Sequence, residues 1–234
     1  MALPKLCLAF FATFLMSSCA GTYNSYVDMF KVALTPIEDV TLTFSDVEQA
    51  EFDYVYVRYG EKPRIAMALM LAEKNQYKWV SADQSLLITE NGRIVKTLGL
   101  ANDLLYLTNR DADPLKQQLN TNSTWVRQAD WSVGEYGYLM RSSFDVYLED
   151  TINIFSTSLS VTKVIETVTY EQKSNYLRFD STWQNVFWID ALTGRVLKSQ
   201  QQLGPGMEPL ESVYISEIVR RLKQNGVVVA KDAI

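Results

Sequence analysis

Both cysteines of this chain, Cys7 and Cys19, lie within its first nineteen residues, and there is no histidine anywhere. Whatever folds downstream must do so without an internal disulfide or a Cys/His zinc site as a staple. Its stability has to come from a buried core. The composition allows one, since 47% of the 234 residues are hydrophobic and 21% are charged, unlike a disordered tail. The length suits one all-β domain or two small ones. The missing imidazole also excludes a histidine-based triad, a histidine proton relay and a haem held by a proximal histidine.

The N-terminus reads as an export signal. Lys5 precedes an apolar run from Leu6 to Met16, and the small residues Ser17 and Ser18 follow. Such a run is too short to span a bilayer but suits the apolar centre of a signal peptide. A buried strand or helix would not explain small residues placed just before a cysteine. The stretch Leu15-Met16-Ser17-Ser18-Cys19 resembles the lipobox of bacterial lipoproteins, with Met16 where leucine is more usual. That resemblance implies a signal peptide over 1–18, lipid on Cys19 and a tether over 19–24. Ala20, rather than aspartate, implies sorting to the outer membrane by analogy with enterobacterial lipoproteins. The mature chain would have 216 residues, 21 of them basic and 27 acidic, giving a formal charge of −6 and no free thiol. No second apolar stretch approaches a spanning length, so anchoring is expected through acyl chains, palmitate among them. More than one chain makes such anchoring firm.

The body, 25–234, reads as strands after one short helix. Ser25 to Leu34 places Tyr26, Phe30 and Leu34 on one helical face, and Thr35-Pro36 ends it. Strands are expected over 52–59, 64–72, 76–81, 86–89 and 93–97, the last two joined by Glu90-Asn91-Gly92, a strong hairpin signal. Asp103 to Leu107 suits a short helix or a strand, and Asp111-Ala-Asp-Pro114 a helix start. Further strands are expected over 125–131, 136–141, 144–149, 158–170, 176–180 and 186–190, followed by a hairpin through Lys198. Pro209 to Lys223 reads as an amphipathic helix with Leu210, Val213, Ile218 and Leu222 on one stripe.

The two hairpins resemble each other. Gly92-Arg-Ile-Val-Lys-Thr97 and Gly194-Arg-Val-Leu-Lys-Ser199 match in type at every position. With the weaker echo of Phe52-Asp53 in Phe144-Asp145, this suggests an internal duplication over 52–99 and 144–200. The alternative is that any hairpin return strand is satisfied by glycine in the turn with Arg and Lys facing water. The expected fold is mainly antiparallel β, with two related sheet halves arranged as a sandwich or half-barrels.

Chemistry is sparse. Gly-x-Gly-x-x-Gly, Walker and Gly-x-Ser-x-Gly motifs are absent, and neither a cofactor nor a metal is expected. Two carboxylates across a cleft would suffice for a glycoside hydrolase, but nothing pairs any two of Asp53, Asp145, Glu149 and Asp180. No catalytic residue is assigned. Trp125 and Trp131 stand six residues apart, on one face of an unbroken strand, and form a candidate platform for a glycan or protein partner. Buried rings filling a β core are the plainer explanation for most of the five tryptophans. Arg58, Arg64, Arg93 and Arg195 cannot be joined into a patch from sequence. The acidic balance disfavours nucleic acid.

Taken together, the lipobox cysteine, Ser25 to Asp28, Tyr54 to Arg58, the apolar run Ala66 to Ala72, Trp79 with its hairpin and the block Trp183 to Lys198 resemble the YjbF/GfcB family of outer-membrane lipoproteins, the group 4 capsule polysaccharide lipoproteins. The resemblance implies an accessory or assembly component of capsule or exopolysaccharide export, facing the periplasm, and not an enzyme. It implies a periplasmic or β-barrel export protein as partner, and only Cys19 carries over as a functional residue. A direct glycan-binding module and a carboxylate-dependent polysaccharide-processing enzyme are the rival expectations.

Overall fold

The computed structural model describes residues 38–117, 119–171 and 181–234. The signal peptide, Cys19, the tether, the expected helix at 25–34 and the expected strand at 176–180 lie outside them. From Asp39 onward the chain forms one compact unit.

Twelve strands make a single antiparallel sheet: β1 Tyr54–Tyr59, β2 Ile65–Glu73, β3 Gln76–Val80, β4 Leu86–Glu90, β5 Arg93–Leu98, β6 Leu104–Leu107, β7 Thr124–Trp131, β8 Glu135–Ile154, β9 Thr157–Tyr170, β10 Thr182–Asp190, β11 Val196–Gln201 and β12 Leu210–Val213. Their order is β5-β4-β3-β2-β1-β12-β11-β10-β9-β8-β7-β6. Two meanders, β1–β5 and β6–β12, therefore meet where the first strand pairs with the last, with Tyr56 opposite Val213 and Tyr59 opposite Leu210.

The sheet curls until it nearly closes. Each of the twelve strands contributes to one contiguous core, through Val57, Met67, Trp79, Leu87, Ile94, Leu104, Trp125, Phe144, Val164, Phe187, Val196 and Leu210. Only a sheet wrapped around its own inner face brings all twelve into one cluster. At the remaining seam, side chains take the place of a ladder. The Leu104 amide donates to Thr97 Oγ1 at 3.0 Å, and that hydroxyl donates to Asp103 at 2.9 Å. The expected mainly antiparallel β fold is thus present, and of its two expected arrangements, sandwich or half-barrels, the sheet takes the barrel-like one.

Helices cover part of the outside. In β1, Val55 and Val57 point inward while Tyr56 alternates outward, into a second cluster with Leu197, Phe155 and two helices. Helix α1, Phe44–Gln49, starts in a capping box, where Thr43 Oγ1 accepts from the Asp46 amide and Asp46 accepts from the Thr43 amide. Helix α2, Ile215–Gln224, buries Ile215, Ile218, Val219 and Leu222.

The expected helix from Pro209 is shorter, because 210–213 form β12. There Leu210 and Ser212 are buried and the intervening positions half-buried, a period of two. Sequence spacing could not see that β1 and β11 each need a neighbour on that edge. The stretch after Asp111 forms two 3₁₀ turns, Arg110–Ala112 and Pro114–Lys116. The expected strands at 136–141 and 144–149 are one strand, β8, of 20 residues.

The proposed duplication spans β1–β5 in its first copy, and part of β8 through β11 in its second. Gly92 and Gly194 both hold positive φ in their turns. The arginines that follow part ways: Arg93 is buried, whereas the Arg195 side chain is 57% exposed.

Candidate functional site

Trp125 and Trp131 do share a face of β7, as their spacing requires, but that face is the barrel interior. They are 2% and 1% exposed and offer no platform to a glycan or a partner. Trp131 donates to the Leu203 carbonyl at 3.1 Å, and Trp125 to the Asn109 carbonyl at 2.9 Å.

Trp125 instead walls a buried ionic cluster. Arg93 and Arg127 lie over its ring at 4.5 and 4.0 Å. Arg93 donates to Glu166 at 2.7 Å and to Asp113 at 3.2 Å, and Arg127 meets Glu166 at 3.2 Å. Ser142 and Asn185 complete the shell of Glu166 with hydrogen bonds of 2.6 and 2.9 Å. Burial works against the Glu166 charge, but the two guanidinium groups and these hydrogen bonds hold its carboxyl well below the usual range. Burial pulls Arg127 down, against the attraction of Glu166. Two cations and two anions balance inside the barrel, with every one of these side chains at most 4% exposed. This cluster builds the core.

The accessible concavity lies elsewhere, where the β4–β5 turn, β3 and the start of α2 converge. Asn91 and Gly92 form one wall, packed close to Val196 at the start of β11. Gly92 has φ +79°, and a Cβ there would fall 2.4 Å from Val196 Cβ. Only glycine lets the turn approach that strand. Residues Tyr77 and Trp79, two apart on β3, stack at 6.3 Å and 20°, and Trp79 meets Tyr214 at 5.8 Å. The Thr89 hydroxyl fixes the Trp79 ring by accepting its Nε1–H at 3.1 Å. Burial pushes the Tyr214 phenol up, so it stays protonated.

The rim is charged. Arg220 donates to Asp53 at 2.6 Å and to Glu217 Oε2 at 2.8 Å, and Arg195 donates to that same oxygen at 2.8 Å. Ser216 Oγ accepts from the Tyr54 amide at 2.8 Å, tying α2 to β1. The pocket is open to solvent and has a volume of about 130 Å³.

Among the expected acids, Asp53 reaches this pocket, Asp145 and Glu149 are exposed on β8, and Asp180 lies outside the described residues. The Arg58 guanidinium pairs with Asp39, whereas the Arg64 side chain donates to the Val40 carbonyl and Thr41, so neither joins Arg93 or Arg195. Glu217 and Tyr214 are not among the expected site residues, because the apolar stripe of 209–223 does not show which turn the rest of that segment meets. Arg220 stands out only as part of a basic patch with Arg221 and Lys223. The signal for Tyr77 and Trp79 was present, as an aromatic pair at strand spacing. Among the described residues no group of three or more acids could hold a metal ion, and no helix is long and apolar enough to cross a membrane.

Fold and site define an antiparallel, barrel-like β protein with helices on its outer surface and a small pocket at the α2 junction. Comparison with known proteins narrows that class. Residues 27–214 match the family described as "Group 4 capsule polysaccharide lipoprotein gfcB, YjbF", and the chain belongs to that family. It is 34% identical over 214 residues to the uncharacterized lipoprotein GfcB of Escherichia coli (strain K12), covering 90% of this chain and 97% of that protein. It is 30% identical over 207 residues to the uncharacterized lipoprotein YjbF of the same strain, covering 86% and 92%. The crystal structure of the hypothetical lipoprotein YmcC from Escherichia coli (K12) superposes with a TM-score of 0.67 at 32% identity, covering 81% of this chain and 94% of that one.

Proposed function

We propose that this protein is a lipid-anchored accessory component of capsule or exopolysaccharide export, held at the periplasmic face of the outer membrane through Cys19. The match of residues 27–214 to the capsule polysaccharide lipoprotein family carries this reading. The lipobox-like stretch before Cys19 supports the anchor. The role is non-catalytic: the domain contacts an export protein or the passing polymer and positions one for the other. The pocket favours contact with polymer as a second mode of action, because an aromatic wall beside a polar rim is how sugar rings are commonly held.

The test is genetic and quantitative. Deleting the gene in a capsule-forming host should lower surface polymer and leave polymer in the periplasm. The intact gene should restore export, whereas Cys19→Ala should yield a folded, released domain that does not. Unchanged surface polymer on deletion would rule out the export role. Full rescue by Cys19→Ala would remove the anchor from it.

A further inference from the structure

Resting on that reading, we infer that the pocket between Tyr77, Trp79 and the first turn of α2 takes one uncharged pyranose ring of the polymer. Its volume, about 130 Å³, lies near the ~150 Å³ of an apolar protein cavity that holds benzene, and its mouth is open, so the bulkier pyranose seats against the walls with part of its ring outside. The volume falls short of the ~300 Å³ at which sites for larger organic ligands begin. One ring fits, and a chain of rings must pass over the mouth.

The walls match the two kinds of surface on a pyranose. Its C–H face is apolar and packs on aromatic rings. Tyr77, 37% exposed, presents such a ring in line with Trp79. Its edge carries hydroxyls that need partners, and Asn91, Asp53, Ser216 and Glu217 border the cavity. A leucine or phenylalanine from a partner protein carries no hydroxyl to add to the hydrogen bonds these groups already make.

Charge selects the class of sugar. The rim holds two guanidinium groups and two carboxylates, linked through Glu217 and Arg220. They balance. A uronate meets Asp53 or Glu217 beside each arginine it approaches, and a cation meets an arginine beside each carboxylate. Hydroxyls both donate and accept, so a neutral ring can join the network without breaking an ion pair.

The full chain in detergent micelles can be titrated with methyl glucoside, methyl galactoside and methyl mannoside, their methyl uronate counterparts, and N-acetylphenylalaninamide. Binding would be followed by saturation-transfer NMR. We expect at least one neutral glycoside to bind, with its uronate about tenfold weaker, and Tyr77→Ala to weaken the neutral sugar about tenfold, the scale of one lost ring contact. Glu217→Gln leaves Arg195 and Arg220 without their shared carboxylate and should reverse the preference toward the uronate. Binding by uronates or the aromatic amide alone, binding by no probe, or neutral-sugar binding indifferent to Tyr77→Ala would overturn the assignment. Such a failure, with export still lost on deletion, leaves the export role standing. Sugar binding without an export phenotype does the reverse.

Discussion

At the scale of single residues, Glu166 is the most consequential side chain in the barrel. It is fully buried and neutralised by Arg93 and Arg127. Its carboxyl is held below the ordinary value of 4.5 in the folded state, so the unfolded chain binds that proton first as pH falls. The stabilisation is present above about pH 5 and is lost progressively toward lower pH. Glu166→Gln should lower stability at neutral pH by about 3–5 kcal/mol, because it leaves the buried Arg127 without a carboxylate and Arg93 with Asp113 alone. It should also flatten the acid limb of a plot of urea midpoint against pH. A variant profile running parallel to wild type would show that the carboxylate is not what titrates. None of this was legible from sequence. Arg93 sits in the same Gly-Arg-apolar-apolar-Lys pattern as Arg195, and only the packing of Trp125, Glu166 and Asp113 around it decides that one arginine is core and the other rim.

At the scale of elements, the same pattern yields a sharper comparison. Gly92 and Gly194 both turn with positive φ, at +79° and +69°. A Cβ on Gly92 would strike Val196, whereas Gly194 has nothing within 4 Å. Gly194→Ala should therefore cost only the backbone term, about 1 kcal/mol. Gly92→Ala adds overpacking of about 1–3 kcal/mol and moves the turn that walls the pocket. Urea midpoints of the two variants measure the difference, and equal losses would contradict the close approach at Gly92. Hairpins of this kind were readable, because Asn-Gly and Thr-Gly punctuate runs of β-branched residues. Strand β12 was not. Leu210, Val213, Ile218 and Leu222 satisfy a helical period well enough, and the need of β1 and β11 for a common neighbour is a tertiary fact that overrides local spacing.

At the scale of the whole molecule, the antiparallel β class followed from alternation and turns, but the closure of the sheet did not. Nothing local in Tyr54–Tyr59 says that its partner lies more than 150 residues away, at Leu210–Val213. Removing residues 207–234 should therefore do more than trim an end. It takes away β12, α2 and four of the twelve buried residues of the outer cluster, and leaves β1 and β11 with open edges. We expect no cooperative unfolding transition from that truncation by circular dichroism. A sharp transition would mean that the first eleven strands fold without closure.

The pairing of first strand with last also sets a schedule. A chain delivered from its N-terminus, off a ribosome or through a membrane pore, carries β1 with one side unmatched until Leu210 has emerged. The two meanders pair strand by strand as they arrive, and only the final stretch joins one to the other.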